Sequence, residues 1–236
     1  VTGDTGPGGL PIENAVDADL SPADQAATDA VLARQPEMIA FFEGMFGPYP
    51  FGSFGAVVDD DADAGYALEN QTRPIYSGAP DESTVAHELA HQWFGNKVTP
   101  QQWRDIWLNE GFATYAEWLW AEYNGGPTPQ AQFDEAYALP DDDELWTVAP
   151  GDPGAADMFA GAVYTRGAMT LQVLRTTIGD ENFAEVLRQW AARDLHDPAT
   201  TADLIALAEQ VSGQNLDALF QTWLYTTGKP TAPSGL

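Results

Sequence analysis

Cysteine is missing from all 236 residues. Disulfides, thiolate nucleophiles and thiolate metal sites are therefore excluded, and a transition metal would have to be held by His, Asp or Glu. Histidine is itself scarce, at three. Cations are scarce too: nine Lys and Arg stand against 36 Asp and Glu, a formal net charge of −27. A nucleic-acid partner needs a positive footprint that this chain does not have. Anionic membrane surfaces are disfavoured for the same reason. The excess acid reads as a solvated surface that keeps a protein soluble and draws cationic ligands. It favours an extracellular or secreted setting over a cytoplasmic one. The first residues carry no basic, apolar and small-residue secretory pattern. No apolar run approaches the roughly 20 residues of a membrane helix, so no membrane insertion is expected. Neither G-x-G-x-x-G nor G-K-[ST] occurs, which argues against nucleotide chemistry.

Apolar residues are plentiful, at 44%, with eight Trp and eleven Phe. That supports one large or two-lobed domain with a real core. Val1 to Leu20 is rich in Gly, Pro and Asp and reads as an irregular lead-in. Ser21-Pro22 reads as a helix N-cap followed by a first-turn proline. The apolar spacing after it predicts helix up to Met45, interrupted near Pro36. Ala56–Val58, Tyr66–Leu68 and Pro74–Tyr76 read as short strands. The period then turns helical, with one helix over Ser83–Phe94 and a second from about Asp105 to Tyr123. Residues 127–154 read as an acidic, proline-rich loop. Four helices follow: Thr165–Ile178, one capped by Asp180, Thr201–Val211, and one capped by Asn215. Strands first and helices later make an α+β pattern with a cleft between two lobes.

Two of the three histidines lie in HELAHQWFGN, as His87 and His91. On a helix, residues i and i+4 share a face, so both imidazoles reach one ion. Glu88 is offset by about 100° from His87 and projects beside that ion. It suits a general base acting on metal-bound water, which is the chemistry behind H-E-x-x-H. Zinc wants a third protein ligand and an open position. His196 lies far along the chain in an Asp-rich turn and reads as a surface residue. Glu110, on the second helix with 18 residues between it and His91, is the better candidate. Glu117 shares its face and is either a partner to the ligands or a surface carboxylate. DDDADAG (Asp59 to Gly65) has the alternating acids of a calcium loop but neither its glycine nor its closing glutamate.

HELAHQWFGN followed by WLNEGFATYAE resembles the signature of the M1 family of zinc aminopeptidases, in the gluzincin clan: HExxH, 18 residues, then Glu. By that resemblance His87, His91 and Glu110 bind one Zn2+ ion and Glu88 is the general base. Upstream, GYALENQTRPIY (Gly65 to Tyr76) is similar to the family's G-x-M-E-N strand, with Leu68 for Met and one extra residue after the glycine. There Glu69 would hold the substrate's free amine, and the strand edge would pair with the substrate backbone. Downstream, AVYTRGAMTL (Ala162 to Leu171) resembles the family's Y-x-K-G segment, with Arg166 in the lysine position. Tyr164 would then donate to the oxyanion.

The resemblance covers roughly Phe46 to Pro230. It implies a thermolysin-like zincin catalytic domain over 1–236: a lead-in at 1–20, an upper lobe with a small mixed sheet and the active-site helices at about 21–125, and a mainly helical lobe at about 126–236. The function implied is removal of N-terminal residues from peptides that have a free N-terminus. Another zinc hydrolase on this scaffold, an endopeptidase or an epoxide-opening enzyme, is the alternative, as is a non-catalytic domain retaining the fold. Family enzymes carry a preceding β-rich domain, which also places a second group near the substrate amine. The expectation is that this chain is a piece of a longer protein and that its partner is that missing N-terminal domain. By itself it should bind zinc but be a poor aminopeptidase.

Overall fold

The computed structural model describes residues 1–61, 63–195 and 197–232. Among these, five short strands form one mixed sheet: β1 (Thr2–Thr5), β2 (Pro11–Val16), β3 (Phe54–Val58), β4 (Ala67–Leu68) and β5 (Ile75–Tyr76). Their order is β1-β2-β3-β5-β4. The inner strands β2, β3 and β5 run parallel, and the outer strands β1 and β4 pair antiparallel. Parallel neighbours need a crossover, supplied between β2 and β3 by helices α1 (Pro22–Leu32) and α2 (Gln35–Phe46). Ser21 caps α1 as expected, accepting from the Asp24 amide.

The first 20 residues are not an irregular lead-in. They supply two strands, and β2 is an inner strand of the sheet. Ile12 and Asn14 are buried while Pro11 and Glu13 are exposed, the alternation of a half-buried strand. Gly and Pro around that short alternation hide it in the sequence. The sheet therefore begins at β1, well before residue 21.

Two helices occupy the centre, α3 (Glu82–Ala90) and α4 (Trp107–Tyr123). Asp81 caps α3 by accepting from the Thr84 amide at 2.7 Å, worth about 1 kcal/mol. Every residue of α4 from Trp107 to Ala116 is buried. A helix buried all round is one packed on several sides. Beyond it come α5 (Pro129–Tyr137), α6 (Gly167–Ile178), α7 (Asp180–Ala191), α8 (Thr201–Ser212) and α9 (Asp217–Leu224). No described helix is long and apolar enough to cross a membrane.

Four further expectations change. The α3 helix stops at Ala90 rather than Phe94, because the chain turns back: the Asn96 amide donates to the His91 carbonyl and Gly95 takes φ +129°. The expected loop over 127–154 contains α5, with Thr128 as its cap and Pro129 in its first turn, so that proline starts a helix instead of breaking one. Asp180 is not a cap: α7 begins from Gly179, and Asp180 accepts from Arg175 Nε at 2.6 Å. Asn215 does not cap α9 either, which starts two residues later and has no side-chain cap.

α4 and α6 approach each other closely in the core. A Cβ on Gly111 would sit 2.9 Å from the backbone of Gly167, and the reverse holds for Gly167. Glycine at both positions lets the helices touch backbone to backbone, which fixes the start of α6 against Glu110. Gly111→Ala gains helix propensity of roughly 0.5–1 kcal/mol but forces the helices apart, an overpacking cost of about 1–3 kcal/mol. A net loss of stability is expected in urea unfolding; an unchanged or raised midpoint would show that the crossing yields freely.

Candidate metal and active site

α3 presents His87 and Glu88, and its C-cap residue His91, to one cleft of about 510 Å³. α4 contributes Glu110 and Glu117, the segment around β4 contributes Glu69, and the turn before α6 contributes Tyr164. The six residues singled out by motif and resemblance, and Glu117 with them, thus line one cleft. His196 lies outside the described residues. Among the described residues, the one group of three donors close enough to share an ion is His87, His91 and Glu110, with ligand atoms all within 4.8 Å.

Glu110 Oε2 is 3.3 Å from His87 Nε2 and 3.4 Å from His91 Nε2. A tetrahedral ion with Zn–N and Zn–O bonds near 2.0–2.1 Å separates its ligand atoms by about 3.3 Å. The donors therefore fit zinc. The other ring nitrogens confirm the orientation. His87 Nδ1 is 2.6 Å from Glu117 Oε1, and His91 Nδ1 is 3.0 Å from the Phe94 carbonyl oxygen. Carboxylates and carbonyls only accept, so both Nδ1 atoms donate to these partners, and both Nε2 atoms are turned toward Glu110, where an ion would replace the proton between them. Glu117 is itself held by Ser83, whose hydroxyl donates to Oε2 at 2.6 Å. It is placed to orient the His87 imidazole, the first of the two roles left open by the sequence.

The field at this point favours positive charge. Burial opposes a charged imidazole at His87, yet hydrogen bonds to Glu110 and Glu117 outweigh it and raise its pKa. At Glu110 burial pushes the carboxyl up, and the two imidazoles overcome this and hold it low. Glu88 stands apart. Burial raises it to about 7, moderated by His91 and His87, and its Oε2 has no hydrogen-bond partner. A buried carboxylate oxygen without a partner is costly unless it has work to do. Tyr164 lies on a π-helical turn, Ala162–Arg166, with its ring 6.1 Å from that of His87. Such turns cluster at functional sites. Burial first, then Glu110, Glu69 and Glu88, push its phenol up, so it remains a donor.

Arg166 plays no part in the cleft. Its buried guanidinium donates to the carbonyls of Trp223 and Thr222 at the end of α9 and to that of Thr226 just beyond. It ties the π-turn to the C-terminal helix. Sequence reasoning missed Gln92 and Asn96, which contact the Glu69 segment: Asn96 Nδ2 donates to the Glu69 carbonyl at 2.7 Å, and Gln92 Oε1 accepts from the Thr72 amide at 2.8 Å. No spacing rule marks side chain–backbone bonds between segments this far apart.

The helix-borne imidazole pair, the carboxylate from a second helix and the unpaired glutamate beside them define a metallohydrolase scaffold. A profile of the Peptidase family M1 domain matches residues 66–223, and the chain belongs to that family. Aminopeptidase M1-C of Oryza sativa subsp. japonica is 32% identical over 210 residues, 78% of this chain and 23% of that protein. Glutamyl aminopeptidase of Bos taurus is 32% identical over 218 residues, covering 80% and 22%. Among solved structures, an M1 zinc metallopeptidase from Deinococcus radiodurans superposes with a TM-score of 0.83 at 28% identity, covering all of this chain and 53% of its own. A variant of a two-domain M1 zinc metallopeptidase bound to L-tryptophan superposes with a TM-score of 0.84 at 27% identity, covering 99% and 52%. The chain spans about a quarter of those curated relatives and about half of these solved chains.

Removing Glu117 takes away the group that fixes the His87 tautomer. Glu117→Ala is expected to weaken zinc binding about 10- to 100-fold in chelator competition. Unchanged affinity would mean that His87 is oriented by packing alone.

Proposed function

We propose that this chain is the catalytic module of a zinc-dependent aminopeptidase. The observation that carries the reading is convergence: Glu69 and Tyr164, from segments on either side of the HExxH helix, line the same cleft as the three metal-ligand candidates and Glu88. His87, His91 and Glu110 would hold the ion. Zinc, when bound, supplies a Lewis acid that acidifies water and polarises a carbonyl. The rest falls to the protein's own groups. Glu88 accepts a proton from the attacking water and later delivers it to the leaving amine. The Tyr164 phenol donates to the oxygen that gains charge in the tetrahedral species. Glu69 pairs with the α-ammonium of the substrate, a charge-assisted contact that places the first peptide bond at the ion. β4, the outer strand of the sheet, would take the substrate backbone as an added strand.

The relatives support this reading. The curated ones are named as aminopeptidases, and a Deinococcus radiodurans variant at 27% identity was solved with a Tyr-Ser-Ala substrate. A β-rich domain joined to this one is part of the proposal, since the solved relatives run to about twice this chain's length. Tyr66, Leu68 and Phe159 are exposed apolar side chains at the cleft, so apolar first residues are expected to be favoured.

The zinc-loaded protein should release the first residue of a free peptide and leave its N-acetylated counterpart intact. Glu88→Gln should keep zinc and lose hydrolysis by a factor of about 10² or more. Equal cleavage of the blocked peptide would make it an endopeptidase; a Glu88→Gln protein that retains all measurable function would make it a non-catalytic domain. Joining the β-rich domain should raise the rate, and no gain would remove that domain from the proposal.

A further inference from the structure

The six residues from His91 to Asn96 leave α3 in a compact turn, and this turn touches both halves of the cleft. On one side it holds a metal ligand: the Phe94 carbonyl accepts from His91 Nδ1, and the Asn96 amide returns to the His91 carbonyl at 2.9 Å. Gly95 makes the reversal possible with φ +129°. Its missing side chain also leaves room, since a Cβ there would meet Asn109 Nδ2 at 3.1 Å and His91 Nδ1 at 3.4 Å. On the other side the turn grips the segment that follows β4. Asn96 Nδ2 donates to the Glu69 carbonyl, and Gln92 Oε1 accepts from the Thr72 amide. Gln92 is fully buried.

The gripped segment needs holding. β4 has only two residues, and the chain from Glu69 to Pro74 returns through turns, with the Asn70 amide on the Leu68 carbonyl and the Arg73 amide on the Asn70 carbonyl. Thr72 sits at φ +65°, and it is the one residue other than glycine with positive φ among the described residues. A β-branched residue keeps that conformation only where its surroundings over-determine it. The Gln92 bond to its amide is such a determinant. Gln92 and Asn96 therefore fasten the Glu69 segment at two points, and the fastening turn also fixes the His91 imidazole.

We propose that Gln92 and Asn96 are positioning residues that set the distance from the Glu69 carboxylate to the metal ligands, and through it the preference for a free α-amine. This rests on the reading of Glu69 as the amine-binding group. Neither residue touches the reacting atoms. Asn96 acts on the Glu69 backbone directly, and Gln92 acts three residues further on. The pair works as a caliper between amine and ion: loosening it should cost recognition of the amine more than it costs the metal site.

The test uses two chelating inhibitors on the zinc-loaded protein, an apolar amino-acid hydroxamate and the same hydroxamate without its amine. The ratio of their affinities reads the Glu69 contact alone. Asn96 is only partly buried, so Asn96→Ala should fold; Gln92→Met keeps the buried volume and removes the acceptor. Each variant is expected to reduce the amine preference about tenfold, since small misplacements cost heavily in oriented sites. Zinc content and affinity for the amine-free inhibitor should stay near those of the parent protein, while Gln92→Met, which strands the Thr72 amide, should also lower the thermal midpoint. Glu69→Ala is the control and should erase the preference. If Glu69→Ala erases it while Asn96→Ala and Gln92→Met keep it, the positioning role is overturned and the amine reading survives. If Glu69→Ala keeps it, both fall. Equal losses for the two inhibitors would show a general loosening of the site and would also overturn the proposal.

Discussion

The Glu110 carboxylate facing two imidazoles, one of them fully buried, is the interaction on which the rest of the molecule depends. Two histidines four residues apart supply half of a tetrahedral site from one helix. The third donor must come from another helix held at a fixed height and angle. Here α4 provides it, buried on all sides over its first turns and pinned against α6 where Gly111 meets Gly167. The aromatic residues around α3, among them Phe46, Trp93, Phe94 and Phe112, make that placement stiff. Close-packed interiors transmit small shifts, so the metal geometry is a property of the whole core.

Charge organises the cleft in the same way. Glu69, Glu88, Glu110 and Glu117 converge on two imidazoles, an arrangement that repels itself unless cations enter it. Each carboxylate has a separate assignment. Glu110 faces the two Nε2 atoms, Glu117 faces His87 Nδ1 and Glu88 retains an unpaired oxygen, which in the function proposed leaves Glu69 for an ammonium. The environments differ enough to separate the roles: two imidazoles hold Glu110 down, while burial carries Glu88 up. Carboxylates pushed in opposite directions at one site are a mark of divided chemical labour.

Some of this was legible in the sequence and some was not, for physical reasons. His87, Glu88 and His91 are readable because their geometry is local to one helix. Glu110 is readable because a ligand must come from a second helix at a suitable chain distance. Glu69 and Tyr164 needed the family resemblance, since a strand-end glutamate or a tyrosine at a helix start has no local signature. The roles of Gln92 and Asn96 were invisible: their partners are backbone atoms at Thr72 and Glu69, brought close only by tertiary folding. In the fold, the long helices and short strands after residue 50 follow their periodicity. β2 was hidden because glycines and prolines bracket a short alternation, and α5 because its starting proline looks like a breaker.

The outer strand β4 carries one more consequence. A two-residue edge is too short to recruit neighbouring copies of the protein into a continuous sheet, the usual hazard of an open edge. It still leaves its backbone groups for a single guest laid alongside. Such a guest must arrive extended, with its leading end free of helix and unburied. A chain terminus tucked into a folded domain offers no such geometry. In the function proposed, the protein would therefore distinguish frayed or unstructured ends from intact ones before any side chain is read, so that the conformation of the target acts as the first filter.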